Sequence, residues 1–135
     1  MTILTGRLAA KLAGAVLAAS IAAPAFAADP VVGTWKTQVD DGAYAHVSIK
    51  ECGAQICGTI ARSFNSSGEF VSANKGKNLV WDMVPAGNGA YKNGKVWQPS
   101  TGKTFRSKMA LSGNSLQVSG CVGPICKKQT WTRVK

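Results

Sequence analysis

The sequence predicts an all-β protein, a single small up-and-down antiparallel β-barrel of about eight strands. Three observations carry that expectation. Short runs in which apolar and polar residues alternate recur along the chain, most of them bounded by Gly or Pro. No window beyond residue 27 shows a helical period. Gly33-Thr34-Trp35 opens the first run and Trp131-Thr132-Arg133 closes the last. A G-x-W on the first strand paired with an arginine on the last is how a small closed barrel can begin and seal itself.

An export leader precedes the first strand. Arg7 and Lys11 make a basic start, residues 12–23 an uncharged run rich in Ala, Leu, Val and Ile, and Ala25-Phe26-Ala27 an A-x-A cleavage site. The uncharged run is shorter than the roughly 20 residues needed to span a bilayer, which favours cleavage over anchoring. Position 28 is alanine and not the cysteine of a lipoprotein signal. The division is therefore a signal peptide over 1–27 and a barrel domain over 28–135. No transmembrane segment is left after cleavage, and the expected address is periplasmic or secreted.

The strands follow in order, near 32–38, 43–51, 56–63, 78–84, 94–98, 103–111, 115–121 and 126–134. Residues 43–50 alternate most clearly, after the tight turn Asp40-Asp41-Gly42. Gly53, Pro85 with Gly89, Pro99 with Gly102, Ser112-Gly113-Asn114 and Gly123-Pro124 mark the later breaks. The stretch 65–78 is the one long connection and carries Phe70 and Val71 among polar residues. Such a segment is either a binding loop or a slack surface loop.

Four cysteines in a small exported chain point to disulfides. They stand at Cys52, Cys57, Cys121 and Cys126, the same C-x4-C spacing used twice. Three pairings are open to four cysteines. Proximity across the mouth of a hairpin favours Cys52 with Cys57 and Cys121 with Cys126. Closing so short a loop adds about 2 kcal/mol on the chain-entropy model, and a bridge from Cys52 to Cys121 would add roughly 4. A four-cysteine zinc site is the rival, disfavoured by an oxidising compartment and by loops longer than those of a zinc knuckle.

Composition narrows the function classes. Arg7 and Lys11 leave with the leader while all six acidic residues stay, so the net charge falls from +10 to +8. The surplus suggests anionic envelope partners and not nucleic acid, which is normally absent there. The basic residues are spread along the chain with no run of five or more, as on an ordinary solvated surface. A catalytic inventory is missing. His46 is the sole histidine, on the polar face with Tyr44 and Ser48, and the cysteines are expected to be oxidised. Only Asp82, between Trp81 and Met83, has apolar neighbours of the kind that favour a protonated carboxyl. Gly102-Lys103-Thr104 is not a phosphate loop, because Trp97 stands where the pattern needs glycine. No catalytic residue, metal ligand or cofactor is assigned, and the chain is read as a non-enzyme.

With these motifs in place, Gly33-Thr34-Trp35 and Arg133 resemble the lipocalin-type (calycin) barrel. There the strand-one tryptophan plugs one end and an arginine of the closing strand lies across its ring. A guanidinium over an indole gains cation–π attraction while shielding the plug from water. The resemblance implies that Trp35 and Arg133 are that pair.

A fuller resemblance is to a family of small exported bacterial proteins, a domain of unknown function with a lipocalin-like barrel. It runs through Gly33-Thr34-Trp35, Cys52 with Ile56-Cys57-Gly58, Gly94-Lys95-Val96-Trp97 leading to Pro99 and Gly102-Lys103-Thr104, Gly120-Cys121 and Thr130-Trp131-Thr132-Arg133. The chain departs from it at Trp97-Gln98-Pro99, where members tend to carry Tyr-Asp-Pro, and in a shorter polar insert over 65–78. The resemblance implies a fold and an address, and no activity.

Eight strands enclose an interior just wide enough to be filled by side chains or to hold one small ligand. Alternation names Trp35, Val47, Ile49, Trp81, Met83, Trp97, Phe105 and Met109 as candidate lining, with Ile60, Leu116 and Val118 beside them. The expected function is binding of a small hydrophobic or amphipathic ligand inside the barrel. The alternative is a filled interior, with the surface recognising a protein or an anionic envelope polymer as a stress factor or inhibitor would.

Overall fold

The alternation read from the sequence becomes the two faces of one closed sheet in a computed structural model of the chain, which describes residues 27–135. The leader expected over 1–27 thus lies, apart from Ala27, outside the described residues. The described residues form nine strands: β1 (Gly33–Lys36), β2 (Tyr44–Cys52), β3 (Gln55–Asn65), β4 (Gly68–Phe70), β5 (Asn78–Gly87), β6 (Ala90–Gln98), β7 (Lys103–Ser112), β8 (Ser115–Val122) and β9 (Ile125–Arg133). Their hydrogen-bonded order is β2-β1-β9-β8-β7-β6-β5-β3-β4, and β3 also pairs with β2, so eight strands close an antiparallel barrel. β4 is the addition, three residues folded back on the end of β3 inside the stretch read as one long loop. Among the described residues no helix is long and apolar enough to cross a membrane.

Strand β5 departs from strict alternation, and the departure corrects one interior candidate. Asp82 has φ +58° and Asn93, on the neighbouring strand, φ +61°. Each inserts an extra step, so Val80 and Met83 are both fully buried although three positions apart. Trp81 therefore falls out of phase and is only half-buried. It belongs neither to the buried core nor to the cavity described below. Asp82 is also not in apolar surroundings: its exposed carboxylate stands 3.9 Å from the Lys95 ammonium. Gly94 makes room for this arrangement, because the Met83 thioether occupies the space a side chain there would need.

One end of the barrel is sealed by its termini. Trp35 is fully buried, donates from Nε1 to the Val31 carbonyl at 2.8 Å, and lies 4.4 Å beneath the Arg133 guanidinium. Arg133 also reaches the carbonyls of Pro30 at 2.7 Å and Val32 at 3.3 Å, and Asn114 Oδ1 at 3.1 Å. One guanidinium thus ties the incoming chain, the β7–β8 turn and the tryptophan together. Gly33, with φ +150°, has to be glycine here, since the Lys135 carbonyl and the Arg133 guanidinium pass within 2.8 Å of where a Cβ would stand. Residues 29–32 form a turn under the barrel that buries Val31, and Tyr91 donates its phenol to Asp29. Burial, and then the Asp29 carboxylate, raise the Tyr91 pKa.

Cys52 is bonded to Cys57 and Cys121 to Cys126, with Cα atoms 5.9 Å and 4.0 Å apart, and no free cysteine remains among the described residues. Each bridge staples one hairpin, β2–β3 at the sealed end and β8–β9 at the other. Two disulfides mark a chain that matures outside the reducing cytoplasm.

Replacing Trp35 by alanine is expected to cost about 3–5 kcal/mol by opening a cavity at the sealed end. Arg133→Ala should cost less, and the double variant should fall short of the sum of the two, because the stack is lost only once. Chemical denaturation of all four proteins measures the coupling. Strict additivity would show that the stack contributes nothing.

Candidate functional site

The other half of the barrel is not filled. A cavity of about 670 Å³ opens between the ends of β1, β3, β6 and β8. Its cause is legible in side-chain size. The sealed half is packed with Trp35, Ile49, Ile56, Met83, Tyr91, Met109 and Leu116. Cavity positions instead carry Ala45, Ser63, Val118 and Gly120. Trp131, 1% exposed, is part of the wall, with its Nε1 donating to Gln129 Oε1 at 2.6 Å. Ile60, Leu79, Val96, Trp97 and Phe105 complete the apolar lining, and Thr37, Ser63, Gln98 and Gln129 add polar groups.

The candidates named from alternation therefore separate into two sets. Trp97 and Phe105, with Ile60 and Val118, line the cavity. Trp35, Val47, Ile49, Met83 and Met109 lie in the solid core and do not reach it. Alternation reports which face of a strand points inward; it carries no information on which inward residues have a neighbour opposite. Ala45, Leu79, Val96 and Trp131 were missed. Trp131 sits directly across from Leu116 in the β8–β9 ladder, and Leu116 was an interior candidate, so the pairing was the signal that could have found it.

The mouth is crossed by an arch. In the circuit of eight strands, the β1–β2 connection (37–43) lies opposite the β6–β7 connection (99–102). The two nevertheless touch: Asp40 Oδ2 accepts from Ser100 Oγ at 2.7 Å and from Gln98 Nε2 at 3.2 Å. Gln98 is thus a donor to an aspartate supplied by the facing loop. The arch is closed on itself by the Asp40–Ala43 bridge and on β9 by Gln38, whose side-chain carbonyl accepts from the Thr130 amide at 2.9 Å. Beside it, the stretch 65–78 is a wall of the site and not slack chain. Phe70, Ser72 and Asn74 line the cavity, and backbone bonds from Ile60 to Lys77 and from Gly76 to Ile60 strap the segment to β3.

His46 stands apart from the cavity. It is half-buried against Phe64, with ring centroids 4.6 Å apart, and Phe64 stacks on Tyr44. Burial first, then the Arg62 and Lys36 charges, lower its pKa, while Glu69 opposes them. Among the described residues no group of three or more His, Cys, Asp or Glu is placed to hold a metal ion.

The family model described as "Uncharacterized protein conserved in bacteria (DUF2147)" matches residues 33–133. The chain belongs to that family. No curated protein matches it. Among solved structures it is similar to one described as "Protein HP1028 from the human pathogen Helicobacter pylori belongs to the lipocalin family". The two are 19% identical over 78% of this chain and 83% of that one, with a TM-score of 0.64. The likeness is one of fold, and with the closed barrel and the tryptophan–arginine seal it makes this DUF2147 domain lipocalin-like.

Two outcomes follow from the site. Asp40→Ala removes the acceptor that spans the mouth, so amide exchange over residues 37–43 should accelerate several-fold while the sealed end is unaffected. Exchange mass spectrometry at peptide resolution reads it, and an unchanged arch would mean that the latch does not hold it. For His46, the unfolded imidazole titrates at about 6.5 and the folded one lower. Its contribution is full above that value and is lost as pH falls through the folded pKa. Melting temperature should decline across that window in the wild type and less in His46→Gln.

Proposed function

We propose that this exported DUF2147 protein binds a small hydrophobic or amphipathic molecule in the open half of its barrel, in the periplasm or outside the cell. The observation that carries the reading is the cavity itself. Its volume of about 670 Å³ lies within the roughly 300–1,000 Å³ of small-molecule sites. Aromatic walls with a few inward polar groups suit a ligand with a flat or acyl body and a polar end. Burial of apolar ligand surface at roughly 25 cal/mol per Å² supplies the drive. The site is read as binding and not catalytic, because its one anchored carboxylate, Asp40, is occupied in holding the arch. A solid interior, the premise of the surface-recognition alternative, does not accord with a cavity of this size.

Native mass spectrometry of the detergent-free protein beside a denatured spectrum tests the proposal. A discrete added mass, released on denaturation, is the expected result. Ala45→Phe projects a ring into the cavity from a half-buried position and should reduce occupancy at least tenfold with little change in melting temperature. Equal occupancy in Ala45→Phe and wild type would place the ligand elsewhere.

A further inference from the structure

Of the six large hydrophobic residues that stand exposed among the described residues, five surround the cavity mouth: Val39, Phe70, Val71, Val122 and Ile125. They come from three of the four connections at that end. Val39 lies in the arch, Phe70 ends β4 and Val71 follows it, and Val122 and Ile125 flank the tip of the β8–β9 hairpin. Val71 is 97% exposed, and Val122 and Ile125 are each 66% exposed. Val122 and Ile125 also line the cavity rim, and the hairpin tip that carries them is braced by two devices. The Cys121–Cys126 bridge closes its base, and Arg106 donates to the Gly123 carbonyl at 2.6 Å.

Charge is arranged to match. All six acidic residues lie at or before Asp82, and residues 90–135 hold nine Lys and Arg and no Asp or Glu. This segment forms β6 to β9, half the barrel wall and the side from which the stapled tip projects. Lys103, Lys127 and Lys128 lie next to the mouth there, and Lys75 and Lys77 flank the opposite tip. The acids at this end are Asp40 and Asp41 of the arch and Glu69 of β4; Asp40 is engaged by Gln98 and Ser100, and Glu69 is paired with Arg62 at 2.6 Å.

We propose that the cavity mouth docks on an anionic lipid surface, with the apolar tips entering the acyl boundary and the flanking lysines at head-group level. The form of the patch selects this partner. Separate prongs around an opening cannot make the dry, continuous core of a protein interface. They suit a fluid surface that closes around each one, with lysine stems lying along the apolar layer and ammonium groups in the head groups. The inference rests on the cavity reading and deepens it: the ligand would be an acyl-bearing amphiphile that passes between the bilayer and the barrel without crossing water.

Flotation with vesicles of phosphatidylglycerol in phosphatidylcholine, and of phosphatidylcholine alone, provides the test, with parent and variants carrying identical N-termini. Two double variants avoid the cavity lining: Val39→Ser with Val71→Ser, and Lys103→Gln with Lys128→Gln. Parent protein should float with the anionic vesicles, less so as salt rises, and poorly with neutral ones. The lysine variant should bind about fivefold more weakly per charge removed, and the valine variant at least severalfold more weakly. Both should keep wild-type occupancy in native mass spectra, so that failure of docking and failure of the cavity reading are told apart. No flotation, or flotation untouched by either variant, would overturn the proposal. So would a parent dimer in light scattering that the valine variant dissociates, since a second copy would then cover the tips.

Discussion

Closure of the barrel turns on its shortest seam, β1 against β9, where the Arg133 guanidinium lies over the Trp35 indole. The β1–β9 seam pairs only Trp35 with Arg133 and Lys36 with Thr132, whereas β8 and β9 are paired along their whole length. So short a ladder cannot hold a sheet closed through backbone bonds alone. The seam is held because Arg133 adds the stack and three further hydrogen bonds, and because Thr34 exchanges backbone bonds with Val134 and Lys135. The tryptophan is thereby kept dry, and a dry indole gives the residues stacked above it a floor.

With that floor fixed, large side chains fill the sealed half and small ones leave the other half open. An apolar wall left open to water forfeits dispersion contacts and the gain from burial. A chain that only needed to be stable would place larger residues at Ala45, Val118 or Gly120. Leaving them small is intelligible if something else fills the space, so the packing asymmetry and the ligand proposal support one another.

The barrel was legible in the sequence because alternation and turn residues are local, and proximity across each C-x4-C hairpin favoured the disulfide pairing that forms without closing off the other two. Trp35 and Arg133 were legible through a motif whose physical meaning is known. Misreadings arose where the structure turns on contacts distant in sequence. Trp81 was assigned to the interior because nothing local announces left-handed backbone at a non-glycine residue such as Asp82. The division of inward residues between core and cavity depends on what faces them across the barrel. The arch was read only as a turn, since the partners of Asp40 lie about sixty residues away at Gln98 and Ser100.

The two staples make a further distinction between the ends. A bridge closing so short a loop adds only about 2 kcal/mol through chain entropy, too little to be the main support of a barrel this well sealed. Its effect is local: it fixes the shape of a hairpin tip. At the sealed end the Cys52–Cys57 tip presents Gly53, Ala54 and Gln55, small or polar groups that ask nothing of a partner. At the open end the same spacing holds Val122 and Ile125 out in solvent, at a standing cost in exposed apolar surface. Rigid display of apolar groups beside an open cavity lowers the ordering entropy of any contact made there. In the proposed docking, the stapled mouth would therefore need little ordering on contact.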